Sequence, residues 1–433
     1  YCVLIILISR SLHSFSSSSY LIANSAMLLF DYDEAFIHYQ DSNLRNFSNE
    51  DLEKKLLAYV NTNSLNKASI VAKEILQHDK KNQEAWLVIL TEAKINNLDK
   101  PFYDFEKQNE IESLDMIKFI FYSNVQIKNN NYDIAQSIFD IVQSSTRYES
   151  DQLQNYNYLL FYLSLSINLN QKFDEAYFYS AQLYQKLKNY KKTEKNYNKV
   201  SKNHKLYLES QKNIAINKSF ESNIEEAEKN LMFLLTTYKK NKNLLIAVAD
   251  FYRSSKQFKK AIPYYSKIIN DQNIDNEEKW FFLYLRGICY ERVNNWQLAE
   301  EDFIHSLEIN SESPQVLNYL AYGWIERNIF INQSLEMLKK AVKINPDSHY
   351  ILDSLAWAYF KNNDLAKAVE LMEEVIIKAP GEAISLDHLG DIYFALGRKR
   401  EAYFMWNQAK DLAEPEDEIL ESIQLKLQKY NAG

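Results

Sequence analysis

From Leu283 to Pro415 the chain repeats one pattern four times. Leu283, Arg286, Gly287 and Tyr290 are followed by Ala299, Phe303 and Pro314, and Leu317, Leu320, Ala321 and Trp324 by Ser334, Leu338 and Pro346. Leu352, Leu355, Ala356 and Tyr359 precede Ala368, Met372 and Pro380. Leu386, Leu389, Gly390 and Tyr393 precede Ala402, Trp406 and Pro415. The small residues Gly287, Ala321, Ala356 and Gly390 recur at steps of 34, 35 and 34. Apolar positions three and four apart put each segment on a helix, two helices to a period. One such pair cannot bury its own apolar face, so the pattern obliges neighbours to stack. Six glycines and six prolines in 433 residues leave too few tight turns for a barrel or sandwich.

A second signal extends the period upstream. The small residue of each second helix falls at Ala35, Ala68, Pro101, Ala135, Ala176, Thr193, Ala227, Ala261, Ala299, Ser334, Ala368 and Ala402. Most steps lie within one residue of 34, while Ala135 to Ala176 is 41 and Ala176 to Thr193 is 17, half a period. The upstream repeats keep the second helix and lose the glycine of the first. Within 151–200 the residues read as three helices, Tyr156–Leu169, Phe173–Leu187 and Tyr190–Val200. A half-period step turns the other face of the array inward, so a kink or subdomain junction is expected near 145–190. Asn130-Asn131, Asn294-Asn295 and Asn363-Asp364 suit left-handed turn positions and helix caps. Asp271–Lys279 reads as a polar loop, and Glu416–Lys429 as an amphipathic terminal helix. The expected divisions are a leader at 1–19, degenerate repeats at 20–150, the junction at 151–204, the main array at 205–412 and a capping helix at 413–433.

A 34-residue period with large, small and aromatic residues at these places resembles the tetratricopeptide repeat. The combination Asn318-Tyr319-Leu320-Ala321-Tyr322, Leu352-Asp353-Ser354-Leu355-Ala356-Trp357 and Leu386-Asp387-His388-Leu389-Gly390-Asp391, with Tyr20-Leu21-Ile22-Ala23 upstream, is similar to long tetratricopeptide proteins of proteobacteria. The resemblance implies an all-α, right-handed solenoid of antiparallel helix pairs. It also implies a non-enzymatic scaffold that binds proteins or peptides along its first helices. In many members it implies export toward the cell envelope, where an adaptor bridging membrane-associated complexes is the second reading.

On that resemblance, the positions lining the peptide groove are Tyr284, Asn318, Tyr322, Asp353, Trp357, Asp387, Asp391 and Phe394. Asn318, Asp353 and Asp387 form a polar ladder at steps of 35 and 34, and Tyr322 and Trp357 add aromatic area one turn on. Such a groove suits a segment carrying basic or amide groups. The basic residues that grip chaperone C-termini in related repeats have acidic counterparts here.

Chemistry-bearing motifs are absent from the sequence. No Gly-rich phosphate loop, G-x-S-x-G, H-E-x-x-H or C-x-x-C occurs, and the seven histidines are scattered. Asp387 and Asp391 share a helical face, with His388 about 100° away, and no third ligand converges. No cofactor and no metal are expected. Cys2 and Cys289 imply no disulfide framework. The net charge of −8 argues against a nucleic-acid partner, although eight lysines against one acid at 186–205 leave an anionic contact or a solvated face open.

The chain opens on Tyr1, so an upstream start is expected. Cys2–Ile8 is too short to span a bilayer. It suits either the tail of a secretory signal or an ordinary first helix, leaving periplasm and cytoplasm both open, with membrane contact only through this leader.

Overall fold

The computed structural model describes residues 18–41, 47–107, 115–123, 126–128, 130–146, 153–221, 223–239, 241–413 and 419–431. The leader expected over 1–19 therefore lies almost wholly outside the described residues. Two compact units meet between Leu234 and Leu235.

Unit 1 begins with α1 (18–28), α2 (Tyr32–Asp41), α3 (Asn49–Asn61), α4 (Leu65–His78), α5 (Gln83–Asn96) and α6 (Lys100–Glu106). It continues through α7 (Asp115–Phe121), a minimal antiparallel pairing of β1 (Tyr122–Ser123) with β2 (Gln126–Ile127), α8 (Asn131–Thr146) and α9 (Leu153–Leu169). It closes with α10 (Asp174–Lys186), α11 (Tyr190–Tyr197), α12 (Tyr207–Phe220) and most of α13 (Ile224–Thr237). The expected junction segment, 151–204, lies inside this unit. There α9 packs on α8 and α10 and also reaches back to α3 and α5. The Tyr32 hydroxyl donates to Asn157 Oδ1 at 2.6 Å, and Ser164 Oγ donates to Asn61 Oδ1 at 2.9 Å. Lys192, from the lysine-rich run, reaches Asp33 at 3.1 Å and lies over the rings of Tyr32 and Tyr184.

Unit 2 is a regular series: α14 (Lys242–Ser254) with α15 (Phe258–Ile269), α16 (Asn276–Arg292) with α17 (Trp296–Ile309), and α18 (Pro314–Glu326) with α19 (Ile331–Ile344). Then come α20 (His349–Lys361) with α21 (Leu365–Lys378), α22 (Ala383–Ala395) with α23 (Lys399–Leu412), and α24 (Ile419–Asn431). The loop expected over Asp271–Lys279 ends early, because the Asp275 carboxylate accepts from Glu277 N–H and starts α16 at Asn276. The fold is an α-solenoid of antiparallel helix pairs.

Local chemistry places the breaks. Asn63, Asn97, Asn294, Asn328 and Asn363 hold left-handed backbone between helices, the conformation asparagine tolerates best after glycine. Asn295 and Asp364 then cap α17 and α21 through the N–H groups of Leu298 and Lys367. Pro314 sits in the first turn of α18 behind the Ser313 cap, where its missing N–H costs nothing.

The packing rule lies in matched volumes. A Cβ on Gly287 would stand 2.6 Å from the Phe303 ring, and one on Gly390 would stand 2.4 Å from Trp406. At the same two places the intervening repeats pair Ala321 with Leu338 and Ala356 with Met372, all fully buried. Glycine therefore faces an aromatic knob and alanine an aliphatic one. Eleven of the twelve small residues that set the period on the second helices are also fully buried; Pro101 is partly exposed. Arg286 stands where the later repeats carry Leu320, Leu355 and Leu389. Its guanidinium forks onto the buried Asp302 at 2.8 and 2.6 Å and donates to Ser266 Oγ at 2.9 Å, so the charge is paired where leucine would pack.

Met372→Trp is expected to overpack against Ala356 and cost about 1–3 kcal/mol in urea unfolding. Adding Ala356→Gly should recover part of that loss, despite glycine's intrinsic helix cost of roughly 1 kcal/mol. A double variant no more stable than Met372→Trp would contradict the volume rule.

Candidate functional site

The first helices of unit 2 adjoin one another on one face, and the polar ladder lies along their contacts. Two of its three rungs, Asp353 and Asp387, are answered by the next first helix along the array. His388 Nδ1 of α22 lies 3.2 and 3.1 Å from the two oxygens of Asp353 on α20. Lys426 Nζ of α24 donates to both oxygens of Asp387 at 2.8 Å and to Asp391 Oδ2 at 2.8 Å. Asn318 has no such answer; it is buried and its Oδ1 has no hydrogen-bond partner.

The aromatic candidates separate by exposure. Trp357 is buried, its ring stacked on His388 at 4.0 Å and 13° and on Phe360 at 4.8 Å. Its indole N–H donates to Glu326 at 2.6 Å. Tyr322 is half-buried, 6.5 Å from the His388 ring. Asp391 Oδ1 accepts from the Trp406 indole at 3.0 Å, and exposed Phe394 leans on that same ring at 5.5 Å. The structure thus gathers Tyr322, Asp353 and Trp357 around His388, and Asp387, Asp391 and Phe394 around Lys426 and Trp406. Tyr284 belongs to neither group. It packs edge-on to Tyr319 at 5.4 Å and against Phe281 at 6.3 Å.

That last contact opens a feature the sequence reading did not single out. Phe281, Tyr284, Tyr319 and Tyr350 come from α16, α18 and α20, and Tyr350 adds a small upward push to the Tyr284 and Tyr319 phenols. Phe281 and Tyr350 are each 44% exposed, so the strip is open to solvent. Burial pushes the Tyr284, Tyr319 and Tyr322 phenols up, keeping them neutral. Lys426 was also missed. It stands 34 residues after Ile392 and 68 after Ala358, and that switch from apolar to lysine was the available signal.

Burial pushes the Cys289 thiol up to about 12, far from a reactive thiolate. Among the described residues no three His, Cys, Asp or Glu side chains gather as metal ligands, and His388 faces Asp353 from the preceding repeat. Among them, too, no helix is long and apolar enough to cross a membrane.

Residues 350–379, which cover nearly all of α20 and α21, match the tetratricopeptide repeat family. The α20–α21 pair is a tetratricopeptide repeat. It is 28% identical over 109 residues to the TPR repeat-containing protein PA4667 of Pseudomonas aeruginosa, a match covering 25% of this chain and 18% of that protein. It is 27% identical over 179 residues to the TPR repeat-containing protein MJ1428 of Methanocaldococcus jannaschii, covering 41% of this chain and 26% of that one. The matched part therefore spans about a quarter or less of either relative's length. Among solved structures, a tetratricopeptide repeat protein of Parabacteroides merdae aligns over 60% of this chain and 100% of its own, with TM-score 0.48 and 20% identity.

The His388–Asp353 pair makes stability depend on pH. Burial alone pulls the imidazole pKa down, but the facing Asp353 carboxylate, helped by Asp387 and Glu326, raises it above the ordinary value. A raised folded value stabilises fully below the unfolded pKa of about 6.5, and the gain is lost as pH rises through the folded value. The stability difference between the wild type and Asp353→Asn, from denaturant unfolding, should therefore shrink as pH rises from 6 to 9. A difference independent of pH would contradict the pairing.

Proposed function

We propose that this chain is a non-catalytic scaffold that binds a segment of a partner protein on the first-helix face of unit 2. The observation that carries this reading is the open strip Phe281, Tyr284, Tyr319 and Tyr350. Rigid aromatic side chains offer large contact area at low entropic cost, and binding hot spots are enriched in tyrosine. The strip is contributed by three successive first helices, so a segment crossing it touches several repeats at once. Arg292 and Arg253 pull the Tyr319 phenol down and Glu291 pushes it up, and these charges orient a bound segment. In this reading Asp353, Trp357 and Asp387 hold neighbouring first helices in register, and the contact surface is Tyr284 with its exposed neighbours.

The test is affinity capture from the source organism's lysate with wild type and Phe281→Ser/Tyr350→Ser. Both side chains are substantially exposed, so the double variant should melt within a few degrees of wild type. Recovery of the specific partner should fall roughly tenfold or more, the effect of losing hot-spot contacts. Undiminished recovery would show that the strip is not the contact surface.

A further inference from the structure

The last first-helix seat of unit 2 is filled by α24, and its register is that of a further repeat. Leu386, Leu389 and Tyr393 of α22 recur after 34 residues as Leu420, Ile423 and Leu427. Ile423 and Leu427 are buried in the cluster that holds Leu386, Leu389 and Trp406. Most of the remaining surface of α24 is exposed, including Leu425 at 50%. Its hold thus rests on the two buried anchors Ile423 and Leu427, with Ile419 packed at the edge of the same cluster, and on one cation.

The cation's place is specific. Lys426 Nζ meets three carboxylate oxygens from Asp387 and Asp391 at 2.8 Å and lies 6.0 Å from the Trp406 ring centre. Trp406 in turn donates its indole N–H to Asp391 Oδ1, which fixes that carboxylate toward the ammonium. Two carboxylates one helical turn apart, one of them 10% exposed, are costly to leave without a cation. The seat therefore demands an amine as well as an apolar face. We propose that this seat is a recognition site for a lysine-bearing amphipathic helix, filled in cis by α24 and open in trans to a partner helix of the same chemistry. The proposal rests on the reading that partners bind the first-helix face, and adds the partner's character: apolar residues four apart with a lysine just before the second, as in Ile423, Lys426 and Leu427. A segment joined this closely to α23 competes at an effective concentration on the order of millimolar, so a partner must displace a tethered rival.

Two measurements on the full chain test it. In Ile423→Asp/Leu427→Asp the anchors are lost and α24 should leave its seat, with the circular dichroism of the other helices retained. A synthetic peptide of residues 419–431 should then bind one to one, followed by Trp406 fluorescence. The same peptide with norleucine at 426 should bind at least tenfold more weakly, and the wild type should bind neither. Failure of the released variant to bind, or equal binding of both peptides, would overturn the proposal. Lys426→Ala, which keeps both anchors, supplies the second measurement. n-Butylammonium chloride should raise its melting temperature more than equimolar sodium chloride does, with no such difference in the wild type. No difference in the variant would also overturn it. Neither measurement involves the Phe281–Tyr350 strip, so failure here is distinguishable from failure of that surface.

Discussion

Volume matching between facing helices is the constraint on which unit 2 depends. Helix backbones approach closely only where a first helix offers glycine or alanine, and the space beyond must be filled by one side chain from the partner helix. Gly287 with Phe303 and Gly390 with Trp406 fill it with an aromatic knob; Ala321 with Leu338 and Ala356 with Met372 fill it with an aliphatic one. The smaller residue on one helix meets the larger on the other, a trade of volume of the kind close-packed interiors tolerate. Stacking, register and the adjacency of successive first helices follow from that spacing.

Once first helices are adjacent, their polar residues answer one another. Asp353 meets His388, and Asp387 meets Lys426. Buried indoles find carboxylates as well, Trp357 at Glu326 and Trp406 at Asp391. A buried polar group costs free energy unless it is paired, so these contacts align neighbouring repeats more than they drive association. The exposed strip of Phe281, Tyr284, Tyr319 and Tyr350 takes no part in these pairings.

The helix pairs, their turns and the terminal helix could be read from the sequence because periodicity and small-residue spacing report local packing directly. Asn294, Asn363 and Asp364 act in the turns as their chemistry suggests. The ladder of Asn318, Asp353 and Asp387 could be placed on one helical face, but not its partners. Those partners lie a full repeat away, and a charge pattern gives no hint which facing residue will answer it. Lys426 is the clearest case, a lysine at a register position that earlier repeats fill with Ala358 or Ile392. Exposure was equally hidden: Trp357 and Phe394 both read as groove aromatics, yet one lies stacked between rings and the other faces solvent.

The return of α9 onto α3 and α5 gives unit 1 a different folding problem from unit 2. In a plain repeat array each pair touches only its neighbours, so contacts are local and a terminal pair can fray while the rest stays folded. The bonds from Tyr32 to Asn157 and from Ser164 to Asn61 join residues 125 and 103 positions apart. Such closures raise contact order and must await the synthesis and collapse of everything between them. They also tie the first repeats to α9, which couples the helix pairs between them more tightly than neighbour contacts alone do.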